Sequence, residues 1–323
     1  MRSCSFARRS RISRVARITA ERAGAVVSPR ITIAQSIALL AAGEIVAIPT
    51  ETVYGLAADA ANPQAVARVF AAKGRPAFNP LIAHVLDAAM AAGLVDIEPL
   101  AAELMARWWP GPLTLVLPVR PDAPVAALAR AGLSTLAVRA TSHELARAVI
   151  AGSGRALVAP SANASGGLSP TRAGHVTLDV PVLDGGACEL GVESTIVSIA
   201  DGRATLLRPG AIPAEALDLS LDVAGPAILA PGQMASHYAP HQPVRLAAMH
   251  AGPDEFLIGF GEIAGHLSLS PTGNPVEAAA RLFEVLHLAQ ASGRTRIAVA
   301  PVPETGLGVA INDRLRRAAA PRE

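Results

Sequence analysis

From Ile31 onward, short apolar runs of strand length alternate with segments of helical periodicity, and this alternation limits the possible folds most sharply. Residues 33–41 (IAQSIALLA) read as a helix ended by Gly43, and 45–49 as a strand. Residues 63–72 return to the helical period, with Asn62 as N-cap and Pro63 at the first position. Strand-like runs follow at 81–85, 113–117, 135–139, 156–159, 194–199 and 204–207, with helical patterns at 97–108 and 142–151. Such alternation predicts an α/β domain with a largely buried sheet, here over residues 31–215. The pattern then breaks among Pro213, Pro226, Pro231, Gly232, Pro240 and Pro243, which reads as a linker over 216–243. Runs at 244–248, 256–260, 266–269 and 296–299, with helices at 276–291 and 307–318, predict a second, smaller α/β unit over 244–323.

Charge separates the first 30 residues from the rest. They hold eight Arg and one acid, a local +7, and the whole chain is +2, which leaves −5 for residues 31–323. A mildly acidic body argues against a broad phosphate-backbone footprint, so direct tRNA binding is expected to be weak or absent. The Arg- and Ser-rich segment 1–30 is similar in composition to a mitochondrial transit peptide, but a disordered extension is the simpler reading. Two cysteines, Cys4 and Cys188, cannot build a disulfide framework or a four-ligand zinc site, and they fit a reducing, cytoplasmic compartment. No apolar run approaches the length of a membrane helix, so no membrane partner is expected.

Three segments carry polar chemistry at the ends of apolar runs. The first is Pro49-Thr50-Glu51-Thr52-Val53-Tyr54-Gly55, where α/β folds place ligands, although an ordinary turn has the same composition. The second is Lys73-Gly74-Arg75-Pro76 with Asn79-Pro80-Leu81-Ile82-Ala83-His84. Two cations two residues apart suit a polyphosphate, and Lys73 is the sole lysine of the sequence, a compact ammonium where every other basic residue is Arg. His84 lies within an apolar run, the usual setting of a core histidine. The third is Ala159-Pro160-Ser161-Ala162-Asn163-Ala164-Ser165-Gly166-Gly167, whose small residues let backbone N–H groups approach an anion. It has neither the P-loop spacing nor the G-x-S-x-G frame. Arg139, Ser194-Thr195 and Arg208-Pro209-Gly210 are further polar punctuation. His237 and His241 have a metal-like spacing, but Pro240 and the lack of a third ligand argue against zinc.

Taken together and in order, IPTETVYGLAADA, KGRPAFNPLIAHV, WWPGPLTLVLP, VAPSANASGG, GVESTIVSI and LLRPGAI resemble the YrdC-like domain of the threonylcarbamoyl-AMP synthase family. PGQMASHYAP and GLGVAINDRLRRAA resemble the long, two-domain form of that family. The resemblance covers roughly residues 30–320. It implies a twisted, largely buried mixed sheet with helices forming a concave cavity, and a smaller C-terminal Rossmann-like α/β domain. It also implies a reaction: ATP, L-threonine and bicarbonate or CO₂ give threonylcarbamoyl-AMP and pyrophosphate. The product would pass to the proteins that transfer the threonylcarbamoyl group to an adenosine beside the tRNA anticodon. Mg²⁺ would be held mainly by the ATP phosphates, with no dedicated metal ligands. By resemblance, Lys73 and Arg75 supply catalytic cations, and Thr52, His84, Arg139, Ser161 and Ser194 bind threonine. Arg75, Asn79, Thr135, Asn163, Thr171 and Arg208 line the nucleotide site, and Tyr238 closes over it. Thr141 stands where the family pattern has Pro; it is expected to start a helix, with little effect.

Two rival readings stay open at this level. One is the carbamoyl-transfer domain of hydrogenase-maturation proteins, which carries paired-Cys zinc modules that two cysteines cannot supply. The other is a module binding double-stranded RNA in a basic cavity, against which the acidic body counts.

Overall fold

The structure, a computed structural model, describes residues 28–223, 225, 228–234 and 236–321. Reading the Arg-rich segment as an extension or transit peptide concerns residues that, but for its last three, lie outside those described.

Eleven strands build the larger sheet: β1 (Arg30–Ile31), β2 (Val46–Ile48), β3 (Gly55–Asp59), β4 (Ile82–His84), β5 (Leu113–Pro118), β6 (Thr135–Arg139), β7 (Leu157–Val158), β8 (Val182–Leu183), β9 (Thr195–Ala200), β10 (Arg203–Arg208) and β11 (Leu221–Val223). Their order is β1-β8-β2-β3-β7-β4-β6-β5-β9-β10-β11, with parallel and antiparallel neighbours, so the sheet is mixed. Helices α1 (Ile33–Ala41), α2 (Pro63–Lys73), α3 (Ala88–Ala92), α4 (Pro99–Trp108) and α5 (Glu144–Ser153) accompany it. Local sequence explains the boundaries. Thr32 and Gln35 form a capping box on α1, and the Asn62 side chain accepts from the N–H groups of Gln64 and Ala65 at the start of α2. Gly74 ends α2 at φ 60°, where a side chain would be strained.

Five strands and helices escape the sequence reading: β1, β3, β8, β11 and the short helix α3. β3 (GLAAD) is buried at every position, so it shows no alternation, and it has no β-branched residue. β8 is two residues long. β11 lies inside the stretch read as linker and adds a parallel edge strand beside β10.

The C-terminal unit has a four-stranded parallel sheet in the order β12-β15-β13-β14. Its strands are β12 (Val244–Arg245), β13 (Glu255–Gly259), β14 (Leu267–Ser268) and β15 (Arg296–Val299), packed with α6 (Pro275–Gln290) and α7 (Leu307–Ala319). Its apolar core continues into the first unit, because Val53, Leu168, Val192 and linker Tyr238 belong to the same buried cluster as Leu282, Phe283 and Ile311. At Gly191 (φ 70°) an added Cβ would lie 2.5 Å from the Ala279 carbonyl, so only glycine lets α6 approach this loop. Polar contacts across the same junction include Arg172–Glu284 at 3.0 Å and a stacked pair, His175 and His287, with ring centroids 4.0 Å apart. Among the described residues, no helix is long and apolar enough to cross a membrane.

Candidate active site

A small cavity lies over one face of the large sheet, where Ile82 and His84, two apart on β4, point the same way. Its wall also takes Thr52, Arg75, Arg139, Ser161, Ser194, Arg208 and Tyr238. Residues 81–85 and 135–139 therefore do what their patterns promise: parallel strands put His84 directly opposite Arg139. The pairing of these two strands stops at Ile82 opposite Ala137, because the Leu81 N–H turns to the Ala129 carbonyl. Thr135, at the far end of β6, pairs with Pro118 and lies outside the cavity wall. Four residues of strand, about 13 Å, separate the Arg139 end from the Thr135 end.

At the Arg139 end, the Thr50 hydroxyl accepts from the N–H groups of Thr52 and Val53, both at 3.2 Å, and so fixes the turn after β2. Arg139, the last residue of β6, donates from Nη1 to Thr52 Oγ1 (3.0 Å) and from Nε to the Gly111 carbonyl (3.2 Å). Its Nη2 lies 2.8 Å from Glu51 Oε1, an ion pair buried on both sides. Burial alone would raise the Glu51 pKa. Arg139, the Thr141 hydroxyl and the Ser142 N–H outweigh it and hold the group at about 2. Thr141 is thus not a helix start. α5 begins at Glu144, and the fully buried Thr141 hydroxyl donates to Glu51 Oε2. A proline there could not make this bond, so the departure from the family pattern has a structural consequence.

His84 is kept neutral, its pKa lowered to about 3 by burial and by Arg139. Its Nδ1 has no hydrogen-bond partner among the described residues, and neither has Asn163 Oδ1 or His237 Nδ1. Buried polar atoms are nearly always paired, so unpaired ones beside a cavity are natural ligand contacts.

Ahead of β4, Arg75 donates to the Asn79 carbonyl (2.9 Å), Asn79 Oδ1 (2.6 Å) and the Pro80 carbonyl (2.7 Å). Burial and the neighbouring Arg208 pull its pKa down, to about 10, against an opposing pull from Tyr238. Arg208, at the end of β10, donates to the Ser194 carbonyl (2.8 Å) and hydroxyl (3.2 Å) and to the Pro231 carbonyl (3.1 Å). The Ser194 hydroxyl meets that of Thr114 at 2.7 Å. Thr171 is buried behind this wall, its N–H donating to His175 Nδ1 at 3.3 Å.

Lys73 has a different place from the one its sequence suggests. Its ammonium sits behind the 161–163 loop and donates to the carbonyls of Ser161 and Asn163, both at 2.5 Å. Burial, then Arg75, pushes its pKa well down. Of the two cations expected to face phosphates, only Arg75 lines the cavity.

The linker forms the roof. Pro231, Gly232, His237 and Tyr238 face the cavity. Met234, Ser236, Ala239 and His241 face a second, larger hollow of about 580 Å³, floored by Phe78 and Ala164–Gly167. His237 and His241 thus look into different spaces and cannot share a metal. Asn79 Nδ2 reaches the Met234 sulfur at 3.4 Å. Tyr238 adopts φ 59°, a conformation a bulky residue holds only under constraint. The covered cavity measures about 50 Å³, too small for a nucleotide.

Sequence reasoning missed Thr50, Glu51, Glu193 and Arg314. All four lie within quoted motifs, but the partners of Glu51 and Glu193 lie 88 and 121 residues away, a pairing no local pattern reveals. Among the described residues, no three His, Cys, Asp or Glu side chains converge to hold a metal ion.

Comparisons with known proteins agree with this geometry. A family model described as "Telomere recombination" matches residues 38–210, and one described as "Threonylcarbamoyl-AMP synthase, C-terminal domain" matches 209–320. The chain is 39% identical to the threonylcarbamoyl-AMP synthase of Bacillus subtilis, covering 90% of this chain and 93% of the relative. It is likewise 39% identical to the protein of that name from Pyrococcus abyssi, covering 85% and 90%. Among solved structures, P. abyssi Sua5 complexed with L-threonine is similar at 35% identity and a TM-score of 0.79, covering 91% of this chain and 97% of that one.

Proposed function

The chain belongs to the threonylcarbamoyl-AMP synthase family, in its long two-domain form, and we propose that its cavity joins L-threonine, bicarbonate or CO₂, and ATP into threonylcarbamoyl-AMP with release of pyrophosphate. The observation that carries this reading is the charge of the wall. Arg75, Arg139 and Arg208 line it, while the nearby carboxylates, Glu51 and Glu193, are already engaged in ion pairs. Such a space accepts anions at both ends.

Threonine sits at the Arg139 end. Arg139 keeps donors on both terminal nitrogens for the threonine carboxylate, and Thr52, neutral His84, Ser161 and Ser194 complete that subsite. The threonine amine takes up CO₂ as a carbamate, whose oxygen attacks the α-phosphorus and displaces pyrophosphate. Negative charge grows on the phosphoryl oxygens and the leaving group, so catalysis rests on positioning and charge stabilisation. Arg75 and Arg208 supply that charge, and Asn79, Thr135, Asn163 and Thr171 shape the nucleotide end. Lys73 acts at one remove, by holding the carbonyls of Ser161 and Asn163. The residues do not fit a protein-held metal, so Mg²⁺ arrives on the phosphates of ATP as part of the substrate. Tyr238 and the linker lift to admit the nucleotide and close over it.

The catalytic unit is 31–215, the closing segment 216–243 and the accessory unit 244–323. The acidic body fits an enzyme of the cytoplasm that leaves tRNA to the transfer proteins receiving its product. The test is pyrophosphate release from ATP, expected only when threonine and bicarbonate are both present. Release that persists without threonine excludes the proposed substrate.

A further inference from the structure

Arg314, on α7, heads the fully buried side chains by volume, and it belongs to the unit with no assigned chemistry. Its Nε donates to Glu193 Oε2 at 2.7 Å, and its Nη1 to Asp313 Oδ2 at 2.5 Å. Its guanidinium carbon stands 5.1 Å from the centre of the Tyr238 ring. Nη2 has no hydrogen-bond partner among the described residues. Glu193 forms part of the cavity wall, and its other oxygen accepts from the Ser169 hydroxyl at 2.6 Å. One cation of the C-terminal unit therefore touches both a carboxylate of the wall and the aromatic ring of the roof.

Packing alone does not explain this arginine. Desolvating two charges costs several kcal/mol each, and apolar side chains of similar volume often replace a buried ion pair without loss of stability. A donor left bare adds to that cost. The electrostatics of the cavity do explain it. Burial would raise the Glu193 pKa, but Arg314 first, then Arg208 and the Ser169 bond, keep it low, so the group is a carboxylate at neutral pH. Without Arg314 that anion would turn to Arg208, the cation that faces the same cavity, and would oppose any incoming phosphate.

We propose that Arg314 is a positioning residue contributed by the C-terminal unit: it neutralises Glu193 from behind, which leaves Arg208 free for the phosphates of ATP. This rests on reading the cavity as the ATP site. It gives the accessory unit a task in the reaction, performed through Glu193 without contact with the substrate.

The experiment compares Arg314→Gln with the double variant Glu193→Gln/Arg314→Gln in the full chain, in which Asp313 keeps its ion pair with Arg317. Its readouts are ATP and threonine KM from pyrophosphate release, and ATP binding by calorimetry without turnover. Arg314→Gln is expected to raise the ATP KM about tenfold or more with a smaller effect on threonine, because it strands a buried carboxylate. The double variant removes that carboxylate's charge and is expected to return the ATP KM to within about threefold of the parent. Unchanged ATP binding in Arg314→Gln overturns the proposal, and so does a double variant that binds ATP no better than the single one. If Arg314→Gln does not fold, the double variant decides: normal ATP affinity supports the proposal, and weak affinity or failure to fold overturns it. A parent protein that neither binds ATP nor releases pyrophosphate refutes the proposed function instead.

Discussion

Replacing Thr141 by Val removes one hydroxyl and almost no volume, and the structure sets what that hydroxyl is worth. Glu51 is buried, and Arg139 Nη2 and the Ser142 N–H both approach its Oε1. Thr141 provides the hydrogen bond to Oε2. In Thr141→Val that oxygen is left buried without a donor, which costs about 2–3 kcal/mol, the upper part of the range for hydrogen bonds to charged groups. The net effect of the network, after the opposing pull of burial, is of similar size: lowering the Glu51 pKa from 4.5 to about 2 corresponds to roughly 3 kcal/mol. With a urea slope of about 2 kcal/mol per molar, the unfolding midpoint should fall by about 1 M. Because the folded-state pKa is depressed, this contribution is complete above pH 4.5 and is lost as pH falls toward 2. The penalty for Thr141→Val should therefore be full at pH 7 and shrink below pH 4.5. In a Glu51→Gln background it should drop by at least half, since the amide's demand for a donor is weaker. A midpoint within about 0.2 M of the parent, or the same shift in both backgrounds, refutes the reasoning.

Lys73→Met should lose two hydrogen bonds to the 161–163 loop and leave both carbonyls bare, a cost of about 2–4 kcal/mol in urea unfolding together with most of the activity. Full activity at unchanged stability contradicts the place assigned to Lys73. The stacked His175 and His287 are both held neutral by burial, with pKa values lowered from 6.5 to about 3 and about 4. Their contribution to stability is present above pH 6.5 and lost as pH falls toward 4, so the melting temperature should decline over that window. The decline should flatten in His175→Asn/His287→Gln, and parallel curves for the two proteins rule the pair out as its source.

The chain states its architecture more openly than its electrostatics. Helices α1 and α2 announce their starts through Thr32 and Asn62, and β5, β6 and β9 are apolar runs long enough to recognise. β3 stays hidden because a strand buried on both faces with the sequence GLAAD has neither alternation nor β-branching. In the cavity, single residues such as His84, Arg139 and Arg208 stand out at strand ends. What each is doing there depends on partners brought from far along the chain: Glu51 under Arg139, Arg314 under Glu193. Lys73 is the instructive case. Its rarity singled it out, but rarity cannot tell a cation facing a ligand from one that holds a loop by its carbonyls.

That same residue makes the protein a reporter of its own opening. The chain carries a single lysine, and its amine is enclosed. An acylating reagent should modify Lys73 only when the loop beside it loosens. The rate of that modification, read by mass spectrometry with no introduced label, would time each breath of the molecule in the presence and absence of its ligands.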